Sequence, residues 1–180
     1  SEMCIRDRAH PHRMGAWTPD SLSHVASMPS DDFFGNERSV TVDSAGELRI
    51  EHVADDGTVT ELRKPVAVEA GEVVDASFMS CRALTSFLEE QVADARESGV
   101  LFSLHMKATM MKVSDPIVFG HGVKAYFKPV FDRHGEIFDE LGVDPNNGFG
   151  DVVAKIQSLS PERRTAIEAD IQAVYEVGPG

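Results

Sequence analysis

Hydrophobic positions follow two regimes along this chain. Between residues 39 and 70 they alternate with polar ones, the period of a half-buried strand. "SVTVD" alternates, "SAG" turns, and "ELRIEHV" alternates again. Asp56-Gly57, a strong hairpin dipeptide, precedes "TVTELR". "PVAVEAGEVVDASF" then reads as one or two short strands, with Pro65 tolerated at a strand start or edge. The pattern predicts a meander or a pair of hairpins with a solvated acidic face. Upstream, residues 9–36 have no clean period and read mostly as loop with short turns.

Past residue 80 the spacing becomes helical. A helix is predicted over Arg82 to Ser98, capped by Ser80 and stopped by Gly99. Leu84, Phe87, Leu88, Val92 and Ala95 form its apolar stripe, and Glu89, Glu90, Asp94 and Glu97 face water. "VLFSLHM" follows, a near-continuous apolar run that suits a strand buried on both faces. The next helix starts near Pro116 with Ser114 or Asp115 as cap, and carries Val118, Phe119, Val123, Phe127, Val130 and Phe131. Pro129 predicts a kink or break just before it; Ile137, Phe138 and Leu141 continue to Gly142. "VDPNNGFG" is a loop with a turn, followed by a short helix over about 150–158. Ser160-Pro161 caps a last helix with Ile167, Ile171, Val174 and Tyr175 on one face.

The expected fold class is therefore α/β: a β-hairpin-rich N-terminal part followed by helix-strand-helix units. Residues 9–80 form the loop and β-meander segment, and 81–180 the α/β segment of the same domain. Residues 1–8, "SEMCIRDR", have no periodicity and look like translated adapter sequence, so they are set aside as non-native.

Composition narrows the partners. Hydrophobic residues make up 42% of the 180, enough for a real core. Acids outnumber bases 30 to 17, a net charge of -13 that repels nucleic acid and anionic membranes. A site for an anionic substrate needs local positive charge against that field. The two cysteines, Cys4 and Cys81, form no CxxC. No apolar run reaches the roughly 18 residues of a membrane span. The expected setting is reducing and cytoplasmic.

There is no GxGxxG, phosphate loop, HExxH or GxSxG. "GHGV" and "NNGFG" supply turn or packing glycines. His10, His12 and His24 lie near Asp20, but their spacing fits no metal template, so no metal ligand is assigned. "SLHMKATMMKVSDP", residues 103–116, is the informative stretch. It places His105, Met106 and Lys107 at the C-terminal end of the predicted strand, where α/β sheets present reactive groups. His105 and Lys107 share a face if the strand reaches that far. The helix opened by "SDP" favours anions at its N-terminus. Lys107 can thus hold a carboxylate or phosphate, and partial burial would lower its pKa toward a proton-shuttling range. The plainer alternative is a snorkelling lysine with a wet head, which fits the loop residue Lys112 better. Met106, Met110 and Met111 read as gap-filling packing, and Asp115 as a helix cap.

"GVLFSLHMKATMMKVSDPIVFGHGVKAYFKPVFDRHG" resembles the corresponding segment of the monomeric-type NADP-dependent isocitrate dehydrogenases. "HPHRMGAWTPDSLSHVA", "LGVDPNNGFGDVVAKIQSL" and "IEADIQAVYE" resemble that family in the same order, so the likeness covers residues 9–180. It implies an internal fragment, from the large domain, of an enzyme converting isocitrate to 2-oxoglutarate in the tricarboxylic acid cycle or glyoxylate bypass. NADP and Mg²⁺ or Mn²⁺ would be the cofactors, with the metal ligands outside this segment, and the full-length chain would be monomeric. Lys107 falls on the family's active-site lysine, which contacts isocitrate and takes part in proton transfer; it is the one catalytic and substrate-binding residue carried over. His105 and Ser114 are given supporting roles at most. No cofactor-binding residue is assigned. The alternative is a self-contained acidic α/β binding module without catalysis.

Overall fold

The computed structural model describes residues 15–106 and 109–179. A short helix, α1 (Phe33–Asn36), leads into four strands: β1 (Arg38–Thr41), β2 (Gly46–Val53), β3 (Val59–Val68) and β4 (Val73–Ala76). β2 pairs antiparallel with β3, and β1 with β4, so one hairpin is nested inside an outer pair. The "SAG" turn therefore does not close a hairpin between β1 and β2. β4 takes the pairing edge of β1, and Val42 extends the match by donating to Glu72 O at 2.8 Å and accepting from Gly71 N at 2.7 Å. Asp56-Gly57 does form its turn. Gly57 has a φ of 83°, and Ala54 accepts its N–H at 2.9 Å. The Asp56 carboxylate accepts from the Thr58 N–H at 2.9 Å, which holds its pKa below the usual value. Pro65 sits inside β3, beside a register shift between Leu48 and Ile50. Both strands of a two-stranded ribbon are edges, and the bulge absorbs the missing N–H.

The helical part follows the sequence closely. In α2 (Cys81–Ser98), Ser80 Oγ accepts the Ala83 N–H at 3.3 Å, and Gly99 ends the helix in the left-handed region at φ 66°. Leu84, Leu88 and Ala95 are buried. The predicted long helix breaks at Phe127 into α3 (Ser114–Tyr126) and α4 (Lys128–Glu140). Pro129 falls in the first turn of α4, where its missing N–H has no intrahelical acceptor to lose. The α3 cap differs from expectation. Val113 is the capping residue, with no side-chain bond, and Ser114 and Asp115 lie inside the first turn. α5 (Phe149–Lys155) and α6 (Pro161–Val177) complete the set, with a 3-10 turn at Pro145–Asn147 before α5.

The main core gathers Val123 and Phe127 with Val130, Phe138, Val152, Ile156, Ile167, Ile171 and Val174. Phe127 stacks on Phe149 with centroids 3.7 Å apart. The α6 stripe is buried at Ile167, Ile171 and Val174, whereas Tyr175 is 52% exposed at its rim. A second cluster of Leu84, Leu88 and Ala125 joins α2 to α3, with Phe102, Met28 and Met79 packed against it.

The architecture is mixed α/β, with the antiparallel strands and one short helix in one part of the chain and the longer helices in the other. The expected helix-strand-helix unit is not formed. Residues 101–106 carry no strand pairing. They alternate instead: Phe102, Leu104 and Met106 are half-buried, while Leu101, Ser103 and His105 are exposed. A strand needs a neighbour for its backbone hydrogen bonds, and among the described residues no strand pairs with this segment.

Candidate functional site

The stretch before Lys107 is positioned by two glycines of α3. Gly122 lacks the side chain that would overlap Leu104 Cδ2, so the Leu104 side chain lies directly on the helix backbone. Gly120, two residues earlier and so about half a turn round the helix, admits the Asn146 side chain and backbone in the same manner. The "GHGV" glycines are thus packing glycines. In "NNGFG", Gly148 adopts a φ of 86° as the turn leaves Asn147.

The turn facing α3 is held from below. Asp144 accepts from the Asn146 N–H at 3.0 Å, an Asx turn, and its own N–H donates to the Asp151 carboxylate at 2.7 Å. Lys155 pairs with Asp151 at 2.8 Å and also donates to Gly142 O. That lysine hydrogen bond, helped by the Asp144 N–H, keeps the Asp151 carboxyl below its ordinary pKa.

Between these elements lies a cavity of about 400 Å³. Leu104, His105 and Met106 form one wall, Asp115, Pro116 and Phe119 of α3 the second, and Asn146, Asn147 and Gly148 the third. A volume of this size falls in the range of small-molecule sites. Its polar groups are the Asn146 and Asn147 amides, the His105 ring and the Asp115 carboxylate. His105 Nε2 lies 2.6 Å from Ser103 Oγ, a bond between alternate residues of an extended segment. Asp115 sits in the first turn of α3, where a carboxylate complements the helix dipole.

The sequence candidates separate here. His105 and Met106 border the cavity. Lys107 lies outside the described residues. Lys112 is exposed in the turn that precedes α3, as expected of a solvated lysine, and Met110 and Met111 are exposed too, so neither packs as predicted. Ser114 is half-buried and lines a different, mostly apolar cavity. His24 Nε2 lies 3.2 Å from the Asp94 carboxylate of α2, and His24 borders a cavity of about 480 Å³ that also reaches His105. His10, His12 and Cys4 lie outside the described residues, and Cys81 is a free, exposed thiol. Sequence reasoning missed Asn146 and Asn147. Their signal was the Asp-Pro-Asn-Asn-Gly turn, read only as a connection.

The donor set does not suit a divalent cation. Among the described residues, Asp115 is the only carboxylate on the cavity wall, and no three His, Cys, Asp or Glu side chains converge. Nor is any Lys or Arg among the described residues of that wall. No helix of the described residues is long and apolar enough to cross a membrane.

The profile of the family described as monomeric isocitrate dehydrogenase matches residues 5–180. The chain is 52% identical over 172 residues to isocitrate dehydrogenase (NADP) 2 of Colwellia maris, with 96% of this chain covered. It is 48% identical over 172 residues to isocitrate dehydrogenase (NADP) of Azotobacter vinelandii, and 48% identical over the same length to isocitrate dehydrogenase (NADP) 2 of Mycobacterium tuberculosis. It spans 23% of the length of each of these relatives. A profile match over nearly the whole chain and identity near one half place it in one family: the chain belongs to the monomeric isocitrate dehydrogenases.

Proposed function

We propose that the full-length protein containing this segment oxidises isocitrate with NADP and decarboxylates it to 2-oxoglutarate. The observation that carries this reading is the run of identity to NADP isocitrate dehydrogenases across 96% of the chain. The segment is then part of the large domain, with residues 9–80 and 81–180 in one domain. Lys107 is proposed as the catalytic and substrate-binding residue. It follows His105 and Met106 directly in the chain, and both of these border the cavity.

The electrostatics give Lys107 its task. Isocitrate is a trianion, and the chain carries a net charge of -13. The described cavity wall adds a carboxylate and no Lys or Arg, so a lysine at this point would supply the local charge the substrate needs. Its ammonium form would draw in the substrate's carboxylates; after losing that proton to solvent, the amine would take the C2 hydroxyl proton while the C2 hydride leaves. The C3 carboxylate then departs as CO₂, and the ammonium returns a proton to C3. NADP, when bound, accepts the hydride. Asn146 and Asn147 offer amides that can orient carboxylate oxygens. Mg²⁺ or Mn²⁺ would be held by other residues of the full-length chain. The proposed setting is cytoplasmic, within the tricarboxylic acid cycle or glyoxylate bypass, with the enzyme acting as a monomer.

The test is a product balance on the purified full-length protein. NADPH and 2-oxoglutarate should form in equal amounts from isocitrate. Clear preference for another hydroxy acid, or NADPH formed without 2-oxoglutarate, would overturn the reading.

A further inference from the structure

The Asn146–Asn147 turn is held from both sides. In front, Gly120 of α3 leaves room for the Asn146 amide and backbone, and a Cβ at that glycine would overlap Asn146 Oδ1. Behind, one oxygen gathers the connection. Asp151 Oδ2, in the first turn of α5, accepts the Asp144 N–H at 2.7 Å and lies 2.8 Å from Lys155 Nζ. The same ammonium donates to Gly142 O. Asp144 carries the hold forward. Its Oδ1 accepts the Asn146 N–H at 3.0 Å, and its Oδ2 faces the Asn147 side-chain amide at 3.5 Å. A chain of bonds thus runs from α5 to the cavity wall. Neither Asp151 nor Lys155 is among the described residues of that wall. Their opposite charges offset each other, so the anchor adds little repulsion toward a bound anion.

We propose that Asp151 is a positioning residue for substrate binding: through Asp144 it fixes the Asn146 and Asn147 amides at the cavity wall, where they donate to a carboxylate of isocitrate. This role rests on reading the full-length protein as an isocitrate dehydrogenase. Both asparagines are exposed, so an untethered turn would have to be ordered as the substrate arrives. Ordering at that moment weakens binding, whereas a turn tied to α5 is already ordered on folding. Among the described residues of the wall, no Lys or Arg competes with the amides for the carboxylate. A neutral amide holds an unreacting carboxylate equally in the ground and transition states, so the tie acts on affinity and not on the chemical step.

The test is steady-state kinetics of the full-length protein with isocitrate and NADP. Asp151→Ala should raise KM for isocitrate about tenfold, the worth of a hydrogen bond to a charged group, while kcat and KM for NADP change less than about twofold. Asp151→Asn should recover most of that loss, because an amide oxygen in place of Oδ2 can accept from both Asp144 and Lys155. Asn146→Ala and Asn147→Ala together should raise the same KM, and adding Asp151→Ala to that pair should raise it no further. Should Asp151→Ala fold poorly, Asp144→Ala breaks the next link and must give the same split. A fall in kcat with KM for isocitrate unchanged would overturn the inference, since Asp151 would then serve the fold alone. So would additive effects of Asp151→Ala and the asparagine pair, or no recovery in Asp151→Asn. Each of these results with native turnover intact leaves the functional reading standing; no turnover of isocitrate by the native protein would overturn both.

Discussion

Leu104 lies against the backbone of Gly122 so closely that a Cβ at that glycine would overlap Leu104 Cδ2. This contact sets the path of the extended segment that ends at Met106, one residue before Lys107. Helix backbone, not a neighbouring strand, is what positions the stretch.

Gly122→Ala therefore tests whether the path matters. Overpacking at such a point costs about 1–3 kcal/mol. In the full-length protein the variant should show a lowered thermal midpoint and reduced turnover with isocitrate. Gly135, on α4, has nothing within 4 Å of its added Cβ, so Gly135→Ala is the control and should leave turnover unchanged. Equal turnover in the two variants would remove Leu104–Gly122 from the account.

A core substitution measures how much the helical part depends on its centre. Ile156 is 1% exposed, while nearby Val153 is 44% exposed. Ile156→Ala should cost about 2–5 kcal/mol. Val153→Ala should stay within about 0.5 kcal/mol, the usual range for a surface change. Thermal or denaturant unfolding of the two variants side by side gives the comparison.

Asp170 of α6 joins α6 to α4. It accepts from His134 Nε2 at 2.7 Å and also pairs with Arg133. The His134 hydrogen bond, with the Arg133 charge behind it, holds the Asp170 carboxyl below its ordinary pKa. A carboxyl depressed in the folded state contributes stability that is fully present above its unfolded pKa of about 4 and is lost as pH falls through the folded value. Asp170→Asn should thus lower the thermal midpoint at neutral pH. The gap from the native protein should close below about pH 4. A gap independent of pH would mean that shape, not charge, holds this junction.

Much of the helical part could be read from local sequence because its signals are local. Ser80, Gly99, Pro129 and the Ser160-Pro161 pair each act within one turn, and each marks a boundary in the structure. Strand pairing is not local. "SAG" carries turn residues, but β1 finds β4 instead of β2, and nothing near Val40 encodes Val74 as its partner. "VLFSLHM" failed for a related reason. A continuous apolar run records a wish for burial, and Phe102 and Leu104 satisfy it against α2 and α3 without joining a sheet. The cavity was half legible. His105 and Met106 were named from the sequence, whereas Asn146 and Asn147 reach the wall only because Gly120 lets their turn approach α3. Lys107 owes its place to resemblance as much as to physics, and the family match extends across it.

The most direct measurement compares two lysines in the full-length enzyme. Lys107→Met removes the proposed proton carrier and one positive charge. Lys112→Met removes the same charge from an exposed turn five positions on. With isocitrate and NADP, Lys107→Met should lower kcat by about 10²–10⁴-fold, the usual worth of a positioned acid or base, with its thermal midpoint kept. Lys112→Met should turn over like the native enzyme. Near-native kcat in Lys107→Met, or an equal loss in both variants, would contradict the assignment of Lys107.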